Sequence, residues 1–323
     1  MISYLEFEKP VAELENRIAE LRAAAEGDDV DISAELKRLE SKSADLLATT
    51  YAGLTPWQKT QVARHPSRPH FRDYVASAFD EFVPLGGDRL YGDDLAIMGG
   101  LASLGGRKVM LIGHEKGNDT ESRLKHNFGM GKPEGYRKAI RLMEMAGRFG
   151  LPVVTLVDTS GAFPGIEAEE RGQAEAIARS TEACLALPVP MVAAIVGEGG
   201  SGGAVALASA ERDLMFEHAV YSVISPEGCA SILWRTAEKA PQAAEAMKMT
   251  AQDLAELGVI DRIVAEPMGG AHRDPAGAAR ALGTAIGEEL DALSGKSAKQ
   301  LRRAREDRFL AMGDPDKARR AKG

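Results

Sequence analysis

Apolar residues recur every three or four positions near the start of the chain. Two such stripes are present: Val11, Leu14, Ile18 and Leu21, then Leu36, Leu39 and Leu46. This spacing predicts two amphipathic helices, and the polar segment GDDVD (27–31) between them predicts an antiparallel hairpin. Two helices alone bury such stripes poorly. We therefore expect the hairpin to pack on the rest of the chain or on another chain.

From about residue 90 the apolar residues form short runs typical of strands. The runs 95–104 and 107–113 flank Gly105-Gly106, which predicts a β-hairpin. The later predicted segments are a helix after Pro133, strand 152–158, loop 159–165, helix 166–187, strand 188–196, loop 197–203, a short helix 204–210, and strands in DLMFE, AVYSVI and VIDRIV. This alternation predicts an α/β fold in which helices join parallel strands.

Composition narrows the class of protein. The 323 residues are 44% apolar, which supports a sizeable core. Two cysteines, Cys184 and Cys229, cannot make a disulfide framework and indicate a reducing compartment. The start MISYLEFEKP has no signal-peptide pattern, and no apolar run approaches the ~18 residues of a membrane span. We expect a cytoplasmic protein without a membrane partner.

The net charge of −8 is unevenly distributed. Residues 296–323 contain ten Lys or Arg and four Asp or Glu, a net of +6, so the other residues carry −14. A basic tail can contact nucleic acid, but aromatic side chains are not interleaved there as single-strand binders require. We expect a solvated helical end and no nucleic-acid partner.

Two glycine-rich segments carry the candidate chemistry. TSGAFPG (159–165) and GEGGSGG (197–203) each follow a predicted strand and open a predicted helix, and the second has five glycines in seven positions. Helix N-termini carry unpaired N–H groups, and glycine lets a ligand approach the backbone. A site built mostly from backbone donors stabilises charge that develops on a substrate oxygen.

Two other interpretations fit the second segment. Gly197 to Gly202 matches the dinucleotide fingerprint G-x-G-x-x-G, with Glu217 at a tolerable distance for a ribose ligand, but the following helix is short. Gly199 to Gly203 matches the nucleophile elbow G-x-S-x-G. That motif would make Ser201 the nucleophile of a serine hydrolase, with Asp213 or Asp261 and then His272 in the expected chain order.

The chain resembles a known family over residues 6 to about 275. The stretches that carry the resemblance are FEKPVAELE, VARHPSRPHFRDYV, IGHEKG, NFGM, PEGYRKAIRLMEMA, GEGGSGGA, YSVISPEGCASILW and EPMGGAHRDP. They are similar to the α subunit of the bacterial acetyl-CoA carboxylase carboxyltransferase, a member of the crotonase superfamily. That family usually has Pro where Ser160 stands and Tyr where Phe163 stands. These two departures leave the glycines of the first loop unchanged.

The resemblance implies a crotonase-like β-β-α spiral at 61–290, with an N-terminal helical hairpin at 1–60 and a basic helical tail at 291–323. It also implies the reaction: carboxyl transfer from carboxybiotin to acetyl-CoA, giving malonyl-CoA, the first step of fatty acid synthesis. Another acyl-CoA as the acceptor stays open. The implied partners are a zinc-ribbon β subunit in an α2β2 assembly, a biotin carboxyl carrier protein and biotin carboxylase, within an ATP-dependent complex. No metal ligands and no covalently bound cofactor are expected on this chain.

The family's biotin oxyanion hole is carried onto particular positions of this chain. The implied backbone donors are Gly161, Ala162, Phe163, Gly165, Gly199 and Gly200. Gly202 and Gly203 would allow close packing, and Ser201 and Arg137 are candidate substrate contacts. The sequence AMKM around Lys248 matches a biotin-carrier motif, but its helical surroundings favour a separate carrier protein.

Overall fold

The computed structural model describes residues 3–25 and 32–313. Its α-helices are α1 Lys9–Ala25, α2 Ser33–Ala52, α3 Pro56–Ala63, α4 Phe71–Ala78, α5 Thr120–Lys125, α6 Pro133–Phe149, α7 Ile166–Glu170, α8 Gln173–Ala186, α9 Ser201–Val205, α10 Pro226–Trp234, α11 Ala240–Met247, α12 Ala251–Glu256, α13 Pro275–Leu293 and α14 Ala298–Ala311. Its strands are β1 Glu81–Pro84, β2 Ile97–Leu104, β3 Arg107–His114, β4 Val153–Thr159, β5 Met191–Gly200, β6 Arg212–Phe216, β7 Val220–Ser222 and β8 Arg262–Val264.

The strands form one mixed sheet in the order β1-β2-β3-β4-β5-β6-β8, with β7 paired to β5. The first three strands are antiparallel, and the predicted β2–β3 hairpin is confirmed. Gly105 and Gly106 close it with φ of 55° and 80°, as a two-residue turn of this hand requires. From β3 onward every pairing along the sheet is parallel, which confirms the predicted α/β rhythm.

The core lies between the sheet and the helices that cover it. Every residue of β4 is buried, and so are Met191 to Gly197 of β5. Helix α6 packs on α8 and on β2, and α13 packs against α4, β5 and β8. Alanine and glycine on these helices let them approach the sheet closely. None of the helices within residues 3–25 and 32–313 is long and apolar enough to span a membrane.

Two predicted segments differ in the structure. The single helix predicted at 166–187 is divided into α7 and α8 because Gly172 adopts a left-handed φ of 80°. The predicted loop 197–203 is also wrong as a loop. Strand β5 runs on through Gly200, where it pairs with β7, and α9 begins at Ser201.

The N-terminal helices pack on the body of the same chain. Val11 of α1 and Leu47 and Tyr51 of α2 form an apolar cluster with Leu54 and with Val62 of α3. The predicted connection at 27–31 lies outside the described residues. The division into units at 60 and 290 stays a prediction, and the second of these positions falls inside α13.

The C-terminal helix is only partly solvated, contrary to the expectation for the basic tail. Arg305 of α14 is fully buried, donates to the carbonyls of Cys184 and Leu187, and pairs with Glu211. Arg308 pairs with Asp213 at 3.0 Å. These arginines fix α14 to the C-terminal end of α8 and to the start of β6, because the carbonyl and carboxylate groups there need donors. Residues 314–323 of the predicted tail lie outside the described part.

A fully buried ion pair stabilises the middle of the sheet. Arg68 donates to both carboxylate oxygens of Glu266, at 3.0 and 2.7 Å, and its Nε donates to the Val196 carbonyl at 2.8 Å. Neither side chain is exposed. Burial alone would raise the pKa of Glu266, but the Arg68 guanidinium outweighs burial and lowers that pKa to about 2.

We predict that Arg68→Met strongly destabilises the chain. It would leave the Glu266 carboxylate buried and unpaired, so we expect the free energy of unfolding to fall by about 3–5 kcal/mol in chemical denaturation at neutral pH. Arg179→Met is the matched control, because Arg179 pairs with Glu175 and Glu182 at the surface and should contribute about 0–1 kcal/mol. Equal losses in the two variants would contradict the prediction.

The same pair predicts a pH dependence. The pKa of Glu266 is lowered on folding. Its ionised form therefore stabilises the fold at pH values above the ordinary pKa of glutamate, and this stabilisation is lost as the pH falls toward 2. The unpaired carboxylate in Arg68→Met can protonate at higher pH. The stability difference between the two proteins should therefore narrow as pH falls from about 5 to 3. A constant difference over that range would contradict this assignment.

Candidate functional site

The carboxyl ends of three neighbouring parallel strands meet at one edge of the sheet. Lys116 follows β3, Asp158 stands near the end of β4, and Glu198 near the end of β5. The Lys116 ammonium lies 2.8 Å from Asp158 Oδ1 and 2.7 Å from Glu198 Oε2. In open α/β sheets, ligands bind outside this edge. We therefore expect the ligand site at this edge of the sheet.

All three of these charges are largely removed from water, and each has a partner. Burial would raise the pKa of Asp158, but the Lys116 ammonium and then a hydrogen bond from His70 hold it well below its usual range. Burial also opposes the charged form of Lys116, and the two carboxylates outweigh it and raise the pKa of that lysine. The group is therefore a carboxylate–ammonium–carboxylate bridge, with all three members charged near neutral pH.

Further polar residues extend this bridge on both sides. His70 Nδ1 donates to Asp158 Oδ2 at 2.9 Å. Arg64 donates to Glu198 at 2.6 Å and to Glu227 of α10 at 2.6 Å. The ionic network thus connects the C-terminal end of α3 and the start of α10 to the strand that carries the glycines.

The two glycine-rich segments touch each other. A Cβ on Gly200 would collide with the Ser160 carbonyl group, and one on Gly203 would lie 2.9 Å from the Ala162 nitrogen. Backbone contact therefore closes the space directly between the segments. A ligand has to bind beside the line of contact, where each segment forms part of a wall.

The predicted backbone donors divide into two groups. The Gly161 N–H donates to Thr159 Oγ1 at 3.1 Å, and the Phe163 N–H donates to the Gly131 carbonyl at 3.0 Å, so these two are engaged within the chain. Among the described residues, the N–H groups of Ala162 and Gly165 have no acceptor.

The donors predicted in the second segment lie inside the sheet. Gly199 and Gly200 pair with Tyr221 and Ser222 of β7, so part of their hydrogen-bonding capacity belongs to the sheet. Helix α9 follows directly at Ser201, without a side-chain cap.

Several cavities border the glycine segments, including a small one of about 30 Å³ whose lining contains Ser160, Gly199 and Gly200. The apolar cavity, about 560 Å³, is lined by Ser201, Gly202, Val205, Tyr221, Ser222, Val223, Ile224, Met247, Lys248, Leu254, Leu257 and Val259. The polar cavity, about 170 Å³, is lined by Ala63, Arg64, His65, His70, Lys116, Arg123, Phe128, Ser160 and Glu198. A larger groove of about 740 Å³ between α6 and α8 contains none of the predicted site residues. The apolar cavity has the volume and lining of a typical ligand pocket.

The remaining candidates are placed as follows. Arg137 donates to Asp88 at 2.7 Å and to the Arg171 carbonyl, so its predicted role toward a substrate carboxylate stays a prediction. Lys248 lies in a left-handed turn that ends α11, with φ of 52°. It does not lie at the tip of a β-hairpin, where a carrier domain would present it.

The structure does not assemble the hydrolase triad. His272 stacks on His65, with 3.8 Å between ring centroids, and neither of its ring nitrogens has a hydrogen-bond partner among the described residues. Asp213 and Asp261 both pair with Arg308. The dinucleotide interpretation is also wrong, because α9 has five residues where that motif opens a full-length helix.

The sequence analysis did not predict the ionic bridge that Lys116 forms with Asp158 and Glu198 beside the glycine segments. It did not bring Lys116, Asp158 and Glu198 together as one group. A signal was available: each charge stands at the end of a predicted strand, and ends of adjacent parallel strands meet. Arg64 gave no such signal, because its distance from Glu198 depends on how α3 packs.

The fold defines a class of protein. The chain is similar in structure to transcarboxylase 12S, with a TM-score of 0.58 and 20% identity over 71% of this chain and 42% of that one. It is also similar to a chain of a Pseudomonas malonate decarboxylase hetero-tetramer, with a TM-score of 0.56 and 18% identity over 72% of this chain and 90% of that one. At these identities the likeness establishes the fold alone, which is crotonase-like.

Sequence comparison gives the family. The family model described as acetyl co-enzyme A carboxylase carboxyltransferase-like matches residues 4–313, and the chain belongs to this family. Its relatives include acetyl-coenzyme A carboxylase carboxyl transferase subunit alpha of Erythrobacter litoralis, 82% identical over 97% of this chain and 100% of that protein. The subunit alpha of Rhizorhabdus wittichii is 73% identical over the same shares.

We predict that Ser201 is not an acylated nucleophile. A serine-directed phosphonate should leave the intact mass unchanged, because no histidine or carboxylate lies within hydrogen-bond distance of Ser201 in the described part of the chain. Ser201→Ala, labelled in parallel, is the control. A phosphonate adduct on the wild-type chain that is absent from Ser201→Ala would restore the hydrolase alternative.

Proposed function

We propose that this chain binds carboxybiotin and, together with a partner subunit, transfers its carboxyl group to acetyl-CoA to give malonyl-CoA. The observation that carries the proposal is the contact between two glycine-rich segments at the carboxyl edge of the sheet, in a chain 82% identical to a carboxyl transferase alpha subunit. The reaction releases negative charge onto the ureido oxygen of biotin. Backbone donors suit that charge because they are fixed in place before it develops.

The roles of the individual groups follow from their surroundings. The N–H groups of Ala162 and Gly165, which have no acceptor among the described residues, are the strongest candidates for donors to the ureido oxygen. We assign Gly161 and Phe163 to shaping the loop, since their N–H groups are already bound. Gly200 places the end of β5 against Ser160, and Gly199 leaves room for the Tyr221 side chain. Biotin itself would accept the proton of the thioester methyl group, because the carboxylates nearest the segments, Asp158 and Glu198, are already paired with Lys116.

The apolar cavity is our candidate for the biotin ring. It lies next to Ser201 and Gly202, and it is lined mainly by aliphatic side chains. Such a lining excludes water, which strengthens hydrogen bonds to a developing anion and protects the released carboxyl group. The carrier protein would deliver biotin from outside, and Lys248 would stay unmodified.

The partner would supply the site for the thioester. Val223, which lines the apolar cavity, is 83% exposed, and Ile232 and Leu233 of α10 are 72% and 63% exposed. Exposed apolar side chains beside a site are typical of subunit interfaces. A zinc-bearing β subunit in an α2β2 assembly, a biotin carboxyl carrier protein and biotin carboxylase complete the proposal. A cytoplasmic location is part of it, in line with two free cysteines.

We predict that activity requires the partner. The purified chain should show no malonyl-CoA-dependent carboxylation of free biotin, and co-purification with a β subunit should restore it. The reason is that this chain would contribute an oxyanion hole only for biotin. The oxyanion hole for the thioester enolate would lie on the partner. Full turnover by the isolated chain would contradict this prediction, and an inactive but assembled complex would contradict the proposed function.

Substitution at Gly199 tests the glycine segments. A Cβ at this position would lie 2.7 Å from the Tyr221 ring, which is a side chain and can move, whereas Gly200 faces the Ser160 backbone. We therefore expect Gly199→Ala to fold and to assemble. Its kcat should fall about 10- to 100-fold, because the end of β5 and the wall of the apolar cavity are displaced.

Gly287→Ala is the matched control. Gly287 lies in α13 with open space around its Cβ position, so an alanine there should leave kcat unchanged and stability equal or higher. Unchanged turnover in an assembled Gly199→Ala complex would show that the glycine segment is not part of the site.

A further inference from the structure

The ladder between β4 and β5 is irregular next to the glycines. Val157 pairs with Ile195, and the next pair is Thr159 with Gly199. β4 therefore advances by two residues while β5 advances by four. Residues 196–198 form a bulge that turns the end of β5 and sets the direction of Gly199 and Gly200. A bulge leaves backbone groups without ladder partners, so something else has to satisfy them.

Asp158 fills this gap in the ladder. Its Oδ1 accepts the Glu198 N–H at 3.0 Å, in place of a backbone acceptor. Gly197 leaves room for the carboxylate, because a Cβ there would lie 2.9 Å from Asp158 Cγ. On the other side of the bulge, Arg68 satisfies the Val196 carbonyl. The shape of the bulge therefore depends on where the Asp158 carboxylate is held.

Lys116 holds that carboxylate. Its ammonium bridges Asp158, which precedes the first glycine segment, and Glu198, the second residue of the other segment. Its aliphatic stem packs on Gly129, where a Cβ would lie 2.8 Å from Lys116 Cγ. Without this cation, Asp158 would keep only His70 as a side-chain partner and Glu198 only Arg64. Two largely buried carboxylates would then face each other without the shared positive charge, and they would separate or take up a proton. Either change moves the Glu198 backbone, and Gly199 and Gly200 with it.

We propose that Lys116 is a positioning residue for carboxyl transfer, which fixes the backbone of Gly199 and Gly200 against Ser160 by bridging Asp158 to Glu198. This inference rests on the proposed function. Lys116 acts through its neighbours and does not touch the reacting atoms. Its removal should therefore affect turnover and the local order of β5 more than it affects binding of the acyl-CoA.

The test compares two largely buried lysines in the assembled complex. Lys116→Met removes the bridge, and Lys116→Arg keeps the positive charge. Lys138→Met is the matched control, because Lys138 of α6 is 3% exposed, pairs with Asp93 and bonds the Asp94 carbonyl at 2.6 Å, away from the glycines. Each complex is assayed for malonyl-CoA-dependent carboxylation of free biotin, for its thermal midpoint and for amide exchange in a peptide covering 196–204.

The expected pattern separates positioning from general stability. Lys116→Met should lower kcat about 30- to 100-fold, change KM for malonyl-CoA less than about threefold, and speed exchange at 196–204 about tenfold or more. Lys116→Arg should recover part of the lost turnover. Lys138→Met should lower the thermal midpoint and leave both kcat and exchange at 196–204 close to wild type.

Two outcomes would overturn the inference. One is wild-type turnover in an assembled Lys116→Met complex, and the other is an equal loss of turnover in Lys138→Met. If Lys116→Met does not assemble, Asp158→Asn decides. It keeps an acceptor for the Glu198 N–H but loses the charge, so unchanged turnover in that variant would overturn the inference and a loss would support it. An inactive wild-type complex would instead contradict the proposed function.

Discussion

The register shift between β4 and β5 is the constraint on which the rest of the site depends. A regular parallel ladder would carry β5 straight past β4, and Gly199 would then pair two residues beyond its present partner Thr159. The shift moves Gly200 into contact with Ser160, but it leaves the Glu198 N–H and the Val196 carbonyl without ladder partners. Asp158 and Arg68 satisfy these groups with charged side chains. The sheet therefore keeps its hydrogen bonds while the strand end is redirected.

Close backbone contact explains both the composition of the site and the kind of chemistry available to it. Gly200 and Gly203 have no side chains because the Ser160–Ala162 backbone occupies the space where a Cβ would stand. The same contact fills the space between the segments with peptide groups, and the acid and base side chains nearest to it, Lys116, Asp158 and Glu198, are already paired with one another. Peptide N–H groups stabilise an anion but cannot remove a proton. A site of this kind needs a substrate that supplies its own base, which agrees with the proposed use of biotin.

Periodicity made much of the fold predictable. The β2–β3 hairpin, the helix after Pro133 and the parallel strands were correct because each has a local signal in apolar spacing or turn residues. The continuation of β5 through Gly200 was not predictable, since glycine normally argues against a strand and the pairing of this segment with β7 depends on distant residues. The internal hydrogen bonds of the Gly161 and Phe163 N–H groups were equally unpredictable from the sequence. Their acceptors, Thr159 Oγ1 and the Gly131 carbonyl, are set by loop geometry that periodicity does not encode.

Charged groups also compensate for what glycine cannot provide. Most strand ends are held by side chains that pack into the core, but a run of glycines has none to contribute. The segments here are instead flanked by Lys116 between Asp158 and Glu198, and by Arg68 with Glu266. Buried charges stay favourable only when each has a partner, so these groups are interdependent in a way that apolar contacts are not. A site built from backbone groups therefore depends on buried charges that support it, and the loss of one of these charges leaves others unpaired.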